Sequence, residues 1–211
     1  MLKRVLAVAV AVVAGVAIAG AQERRPASPA GSSQTQVGGK WVTNPNGESS
    51  YQGGQWIEIT YGRPIKRGRA DLFGSGENYG KKLLDGAPVW RAGANVSTRL
   101  KTEVPLQIGG KTVPAGEYSL FIDLKENNWT LIVSSWGAQQ KYNPSDKTAL
   151  WGAYNYTPDK DVARVTMDVN PKLSVSIDQL TWDFADMTDA GGKLLMVWDT
   201  TVATASFTVA K

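Results

Sequence analysis

The chain has 211 residues, with 23 Lys or Arg against 19 Asp or Glu, and it contains neither cysteine nor histidine. Those absences exclude disulfides, thiolate nucleophiles and thiolate metal sites, and equally Ser-His-Asp or Cys-His pairs and imidazole ligands. Catalysis would rest on Asp, Glu, Lys or Tyr with displaced pKa values, or on a metal held by oxygen ligands, which weighs against an enzyme.

Lys3 and Arg4 precede an apolar run from Val5 to Ile18, and Ala19-Gly20-Ala21 sets small residues before Gln22. This is the pattern of a cleavable signal peptide over 1–21, cut near Ala21-Gln22. The run is shorter than the roughly 20 residues a spanning helix needs. The expectation is a periplasmic or secreted chain with no integral membrane segment after processing. Removing Lys3 and Arg4 lowers the 23 cations to 21 against 19 anions, a balance that does not suit a nucleic-acid surface. Residues 22–39 are polar, rich in Pro, Ser and Gly, and without a periodic apolar face. They read as a flexible lead-in to a single domain over 40–211.

From there the apolar period is two. Gln55 to Tyr61 alternates, with Ile57, Ile59 and Tyr61 on one face. Thr98 to Ile108 alternates as one run, and Gly109-Gly110 turns it into Lys111-Thr112-Val113 as a hairpin. Tyr79 to Leu84 suits one short helical turn. Glu117 to Leu124 and Trp129 to Ser134 are strands joined at Glu126-Asn127-Asn128. Ala163 to Val169, Leu173 to Leu180, Thr181 to Phe184, Leu194 to Trp198 and Phe207 to Val209 follow. Many short strands with turn residues between them predict an all-β fold: one antiparallel β-sandwich, or a partly closed barrel, with long ordered loops and little helix.

Eight tryptophans punctuate the chain. Trp56, Trp129, Trp182 and Trp198 lie in or beside strands, where a core role is expected. Trp41, Trp136 and Trp151 lie among polar or turn residues, where an exposed indole can stack on a sugar ring or cover the core's edge. Asp183, Asp186 and Asp189 lack the loop pattern of a calcium site and read as solvated charge.

The densest chemistry lies in two blocks, Tyr61 to Arg69 and Val89 to Arg99. They hold Arg63, Lys66, Arg67, Arg69, Arg91 and Arg99 among glycines that interrupt any helix. Guanidinium groups suit carboxylate or phosphate, and neighbouring glycines let backbone N–H groups approach a ligand. The candidate ligand residues are Tyr61, Arg63, Arg67, Arg69, Arg91, Asn95 and Thr98, with Arg91 and Asn95 flanking Gly93. The competing reading is that the arginines bond loop carbonyls or pair with Glu58, Asp71 or Glu103. The first block ends one strand and the second begins another, so both are expected at one rim of the fold.

These blocks resemble a family of exported bacterial proteins, the domain of unknown function DUF2911. The matching elements are Ser28-Pro29, Ile57 to Pro64 with Arg67-Gly68-Arg69, Leu72-Phe73-Gly74, Val89 to Asn95 with Thr98, Pro114 to Phe121, and Trp129. The tail, Gln179 to Trp182 and Leu195 to Asp199, is similar but less specific. The resemblance implies an exported, mainly β protein with no assigned reaction, and it transfers no catalytic residue. Three functional readings follow: a binding module for a small anionic or carbohydrate-like ligand, a structural or interaction domain whose arginines only organise loops, and a histidine-free hydrolase or lyase using Asp, Glu or Tyr. No metal, cofactor, catalytic residue or partner protein is assigned.

Overall fold

The computed structural model describes residues 26–210, so the signal-peptide expectation for 1–21 lies outside the described residues. Six antiparallel strands form a first sheet in the order β1 (Ala30–Val37), β4 (Gln55–Gly62), β5 (Thr98–Thr102), β8 (Gly116–Asp123), β9 (Thr130–Ser134) and β12 (Asp161–Thr166). After β1, β2 (Lys40–Thr43) and β3 (Ser49–Gln52) make a separate exposed hairpin. The second sheet runs β14 (Ile177–Thr188), β15 (Gly191–Asp199), β16 (Thr201–Val209), β6 (Leu106–Ile108) and β7 (Lys111–Val113). β13 (Asp168–Asn170) pairs with the other end of β16. A short parallel pair, β10 (Gly137–Ala138) and β11 (Ala149–Leu150), closes a loop. Among the described residues, α1 (Lys81–Leu84) is the only α-helix, and no helix is long and apolar enough to cross a membrane.

The two-residue period places one face of each sheet in a shared interior. Ile57, Ile59 and Tyr61 face inward beside Leu100, Leu120, Ile122, Leu131 and Val133; the second sheet supplies Leu180, Trp182, Leu194, Met196, Trp198 and Phe207. Each such large apolar side chain contributes about 1.5–3 kcal/mol when fully buried. Without disulfides this burial carries the fold. At one end Phe73 lies 4.9 Å from Trp129 and 6.3 Å from both Trp90 and Trp198, and Trp90 stacks on Trp198 at 6.2 Å. The buried indole N–H groups find acceptors: Trp129 donates to Tyr79 Oη, Trp182 to the Ala92 carbonyl and Trp198 to the Asp178 carbonyl. On the outer face of the first sheet, Phe121 and Ile132 are covered by Ala87, Val89, Leu150, Ala153 and Tyr156, a smaller second core.

The all-β sandwich is present, and its sheets do not close into a barrel. Several details differ from the sequence expectation. Residues 30–37 of the lead-in are the edge strand β1, paired with β4 along its whole length. Only Val37 is fully buried there, so an apolar period was never available to announce the strand. The run from Thr98 to Ile108 divides before Leu106, where Pro105 supplies no ladder N–H, and its halves enter different sheets. Ala163 to Val169 divides likewise between β12 and β13, with Met167 at the crossing. Alternation persists through both divisions because the two sheets face one interior. Trp56 is not a core residue: Ile57 and Ile59 point inward, so their neighbour points outward and is 46% exposed. The Gly109-Gly110 hairpin forms as expected, with both glycines at positive φ, 57° and 75°.

Truncating Trp90, which is 2% exposed, should cost about 3–5 kcal/mol in Trp90→Ala. Trp41→Ala, at a 72% exposed position, should stay within about 0.5 kcal/mol of the parent in denaturant titrations.

Candidate functional site

β4 turns a corner at Gly62. Beyond it the chain leaves the first sheet and runs beside β14: the Leu180 N–H donates to Pro64 O at 3.0 Å, the Lys66 N–H donates to Asp178 O at 2.6 Å, and Ile65 bridges Gln179. The side chains of the first block follow this path. Tyr61 is buried and its hydroxyl donates to the Trp182 carbonyl at 3.3 Å. Arg63 is half-buried and donates to Leu180 O and Thr181 Oγ1 at 3.3 and 3.1 Å. Arg69 folds back onto the carbonyls of Lys66 and Ile65, its guanidinium 5.4 Å from the Trp198 ring. Arg67, exposed and at φ 50°, sets its N–H on Asp178 Oδ1 and its head group on the Ala27 carbonyl. Lys66 Nζ pairs with Asp199 at 2.5 Å, and Ser176 donates to the same carboxylate oxygen.

The second block meets the first through main chain. The Ala94 N–H donates to Gly62 O at 3.2 Å, and a Cβ on Gly62 would fall on the Ala94 carbonyl. Ala92, in the left-handed region at φ 52°, turns its carbonyl inward, where it accepts from buried Thr98 Oγ1 and from the Trp182 indole. Exposed Asn95 donates its amide to Ser28 O at 3.2 Å. Arg91 donates to Asn95 O at 3.0 Å, and its guanidinium lies 5.3 Å from the centre of the Tyr154 ring.

The two blocks therefore lie side by side, and their polar groups converge on one short segment. Arg67 takes Ala27 O, Asn95 takes Ser28 O and the Arg63 N–H takes Pro29 O. Tyr61 and Thr98 are interior. Of the seven candidates, Arg91 is the one whose guanidinium stacks on a ring that lines an open groove.

That groove, of about 360 Å³, is built by a loop between β10 and β12 that the sequence did not mark as a unit. Buried Gln139 organises it. Its amide Nε2 lies 3.1, 3.3 and 3.0 Å from the carbonyls of Asn143, Asp146 and Ala149, which share its two hydrogens, and its Oε1 accepts from the Asn143 N–H. A loop carrying so many bonds to one buried side chain is held in one conformation. Tyr142, Trp151 and Tyr154 line the groove, with Tyr142 edge-on to Trp151 at 6.2 Å, and Asn143, Lys147 and Asn155 ring it. Tyr154 donates to Asp85 at 2.6 Å, and that carboxylate holds its hydroxyl above the usual phenol range. Asp146, also on the groove, accepts from the Thr148 hydroxyl and N–H, which holds it below the usual carboxylate range. Trp151 alone stood out in the sequence; Gln139 is one amide in a polar stretch and gives no signal of its role.

A wider groove of about 690 Å³ has Phe73 and Trp129 in its lining beside Asp71, Glu126, Asp168 and Asp199. Among the described residues no three acidic side chains gather closely enough to hold a metal ion.

Two aspartates give the fold opposite responses to acid. The hydrogen bond from Lys66 lowers the Asp199 pKa, with Ser176 adding to it. Its contribution is present above the ordinary carboxylate pKa of about 3.9 and is lost as pH falls through the lowered value. Asp161 is raised by burial, opposed by the Tyr156 hydroxyl that donates to Oδ2 at 2.6 Å, and its Oδ1 is buried without a hydrogen-bond partner among the described residues. Its ionisation costs stability as pH rises through the raised value. Urea titrations from pH 3 to pH 7 should show a shallower acid loss in Asp199→Asn. Asp161→Asn should be the more stable protein at pH 7, with its advantage disappearing once the parent aspartate is protonated.

A family model described as protein of unknown function (DUF2911) matches residues 44–207. No curated protein matches the chain, and no solved structure does. The matched span runs from the turn of the β2–β3 hairpin to Phe207 in β16, most of the chain, and the protein belongs to the DUF2911 family.

Proposed function

We propose that this DUF2911 protein is exported and binds a small carbohydrate-like ligand in the groove of Tyr142, Trp151 and Tyr154. One observation carries the reading: a loop locked by Gln139 holds three aromatic rings around an open groove whose rim carries two amides and a lysine. Aromatic faces take the apolar face of a sugar ring, and amides and ammonium groups take its hydroxyls. The groove is fixed before the ligand arrives, which limits the ordering cost of binding. Arg91 supports the site from behind, through its stack on Tyr154. Asp146, held ionised by Thr148, suits hydrogen bonding to a hydroxyl better than proton transfer.

The first block favours a second role for its arginines. Arg63, Arg67 and Arg69 each donate to main-chain carbonyls, which suits residues that fasten loops. Export is supported by the charged start, apolar run and small-residue site over 1–21. Mass spectrometry of the exported chain should give a mature N terminus at Gln22.

A thermal-shift screen of residues 22–211 against neutral sugars, uronates, phosphates and dicarboxylates tests the binding reading, because a ligand that binds only the folded state raises Tm. Neutral sugars should raise it. Trp151→Ala should weaken that binding at least about tenfold, equivalent to about 1.4 kcal/mol. Binding unchanged in Trp151→Ala, or no shift with any sugar, would remove the proposal.

A further inference from the structure

Alternation in β4 turns Trp56, Glu58 and Thr60 onto the outer face of the first sheet, opposite the core residues Ile57 and Ile59. Register brings Gln34 and Lys101 to either side of Glu58, and Ser32 and Arg99 to either side of Thr60. Trp56 is 46% exposed on this otherwise polar face. Two depressions lie along this strip. One, of about 250 Å³, is lined by Gln34, Trp56, Glu58, Lys101 and Glu103. The other, of about 400 Å³, is lined by Glu58, Thr60, Arg99 and Gln140 among others. They share Glu58. Gln140 directly follows Gln139, which lines the Trp151 groove. Glu58 joins the first depression to the second, and the chain step from Gln140 to Gln139 leads from the second to the Trp151 groove.

The charges on the strip select the occupant. Glu58 and Glu103 alternate with Lys101 and Arg99, so a ligand of either single sign would meet like charge somewhere along its length. A hydroxyl both donates and accepts, and it can use carboxylate and cation in turn. An exposed indole adds a flat apolar face for a sugar ring. From Trp56 to Thr60, β4 alone advances about 13 Å at roughly 3.3 Å per residue, longer than one ring of ordinary size.

We infer that the ligand is a neutral glycan chain lying along the outer face of β4, from the Trp151 groove across Gln140 and Glu58 to a distal subsite at Trp56. The inference rests on the proposed binding at the Trp151 groove and adds the polymer and its second contact.

Calorimetry with neutral glucan, xylan, mannan and N-acetylglucosamine oligomers of one to six units tests it, using the chain from Gln22, Trp56→Ala, Trp56→Phe and Trp151→Ala. Affinity for one of these series should rise with length. Trp56→Ala should leave mono- and disaccharide binding unchanged and lose the gain of the longest oligomer, at least about fivefold, while keeping its Tm. Trp56→Phe, which keeps a ring, should recover part of that gain. Trp151→Ala should weaken every length. A flat length dependence, or a Trp56→Ala variant that binds the hexamer like the parent, overturns the distal subsite and leaves the Trp151 groove standing. Binding kept in Trp151→Ala but lost in Trp56→Ala overturns the Trp151 groove, and the continuous path with it. Tighter binding of oligogalacturonate or of a polar peptide than of any neutral oligomer overturns the neutral-glycan assignment, and so does failure of every neutral oligomer to bind.

Discussion

The close approach of main chain to main chain between Gly62 and Ala94 is the constraint on which the other arrangements depend. No side chain fits between them: a Cβ on Gly62 would meet the Ala94 carbonyl, and one on Gly93 would lie 3.0 Å from Gly62 O. With the two segments in contact, Ala92 turns its carbonyl into the interior, where Thr98 and Trp182 both donate to it. On the other side of the same contact, the chain after Gly62 reaches β14 and extends the second sheet by three residues. One glycine thus lets a single strand end take part in both sheets, and the arginines around it secure the result.

Those arginines show how residue type can be legible while its partner is not. Arg63 donates to a residue 117 positions away, and Arg67 donates to one 40 positions before it. Both partners are backbone carbonyls, which every residue carries, so no pattern in the sequence could have named them. The core is the opposite case. Ile57, Ile59, Leu100, Leu120 and Ile122 were visible as alternation because burial on one pleat face requires it. The same logic concealed the crossings at Pro105 and Met167, since a strand that changes sheets still faces the same interior. β1 was illegible for a further reason: Ala-Gly-Ser-Ser-Gln-Thr-Gln-Val is held by ladder hydrogen bonds, with a single fully buried anchor in Val37.

The loop with the Trp151 groove belongs to a different kind of architecture. Its stability comes from polar saturation around Gln139 and from the small core under Phe121 and Ile132, apart from the main interior. Such a loop tolerates changes at its rim while its frame stays fixed, which is how binding sites are usually mounted on sandwiches. Only part of it was readable. Trp151 was noticeable as an aromatic among turn residues, but its pairing with Tyr142 depends on a turn that Gln139 dictates.

The seizure of residues 27–29 has a mechanical consequence. Ala27, Ser28 and Pro29 are gripped at three successive carbonyls, by Arg67, Asn95 and the Arg63 N–H, before β1 begins its eight-residue pairing with β4. Tension applied at residues 27–29 would pass into the two blocks, and through Arg67 and Asp178 into the second sheet as well as the first. Residues 27–29 are therefore riveted across the sandwich, and a pull on them is shared by both sheets through Arg67, Asn95 and the Arg63 N–H.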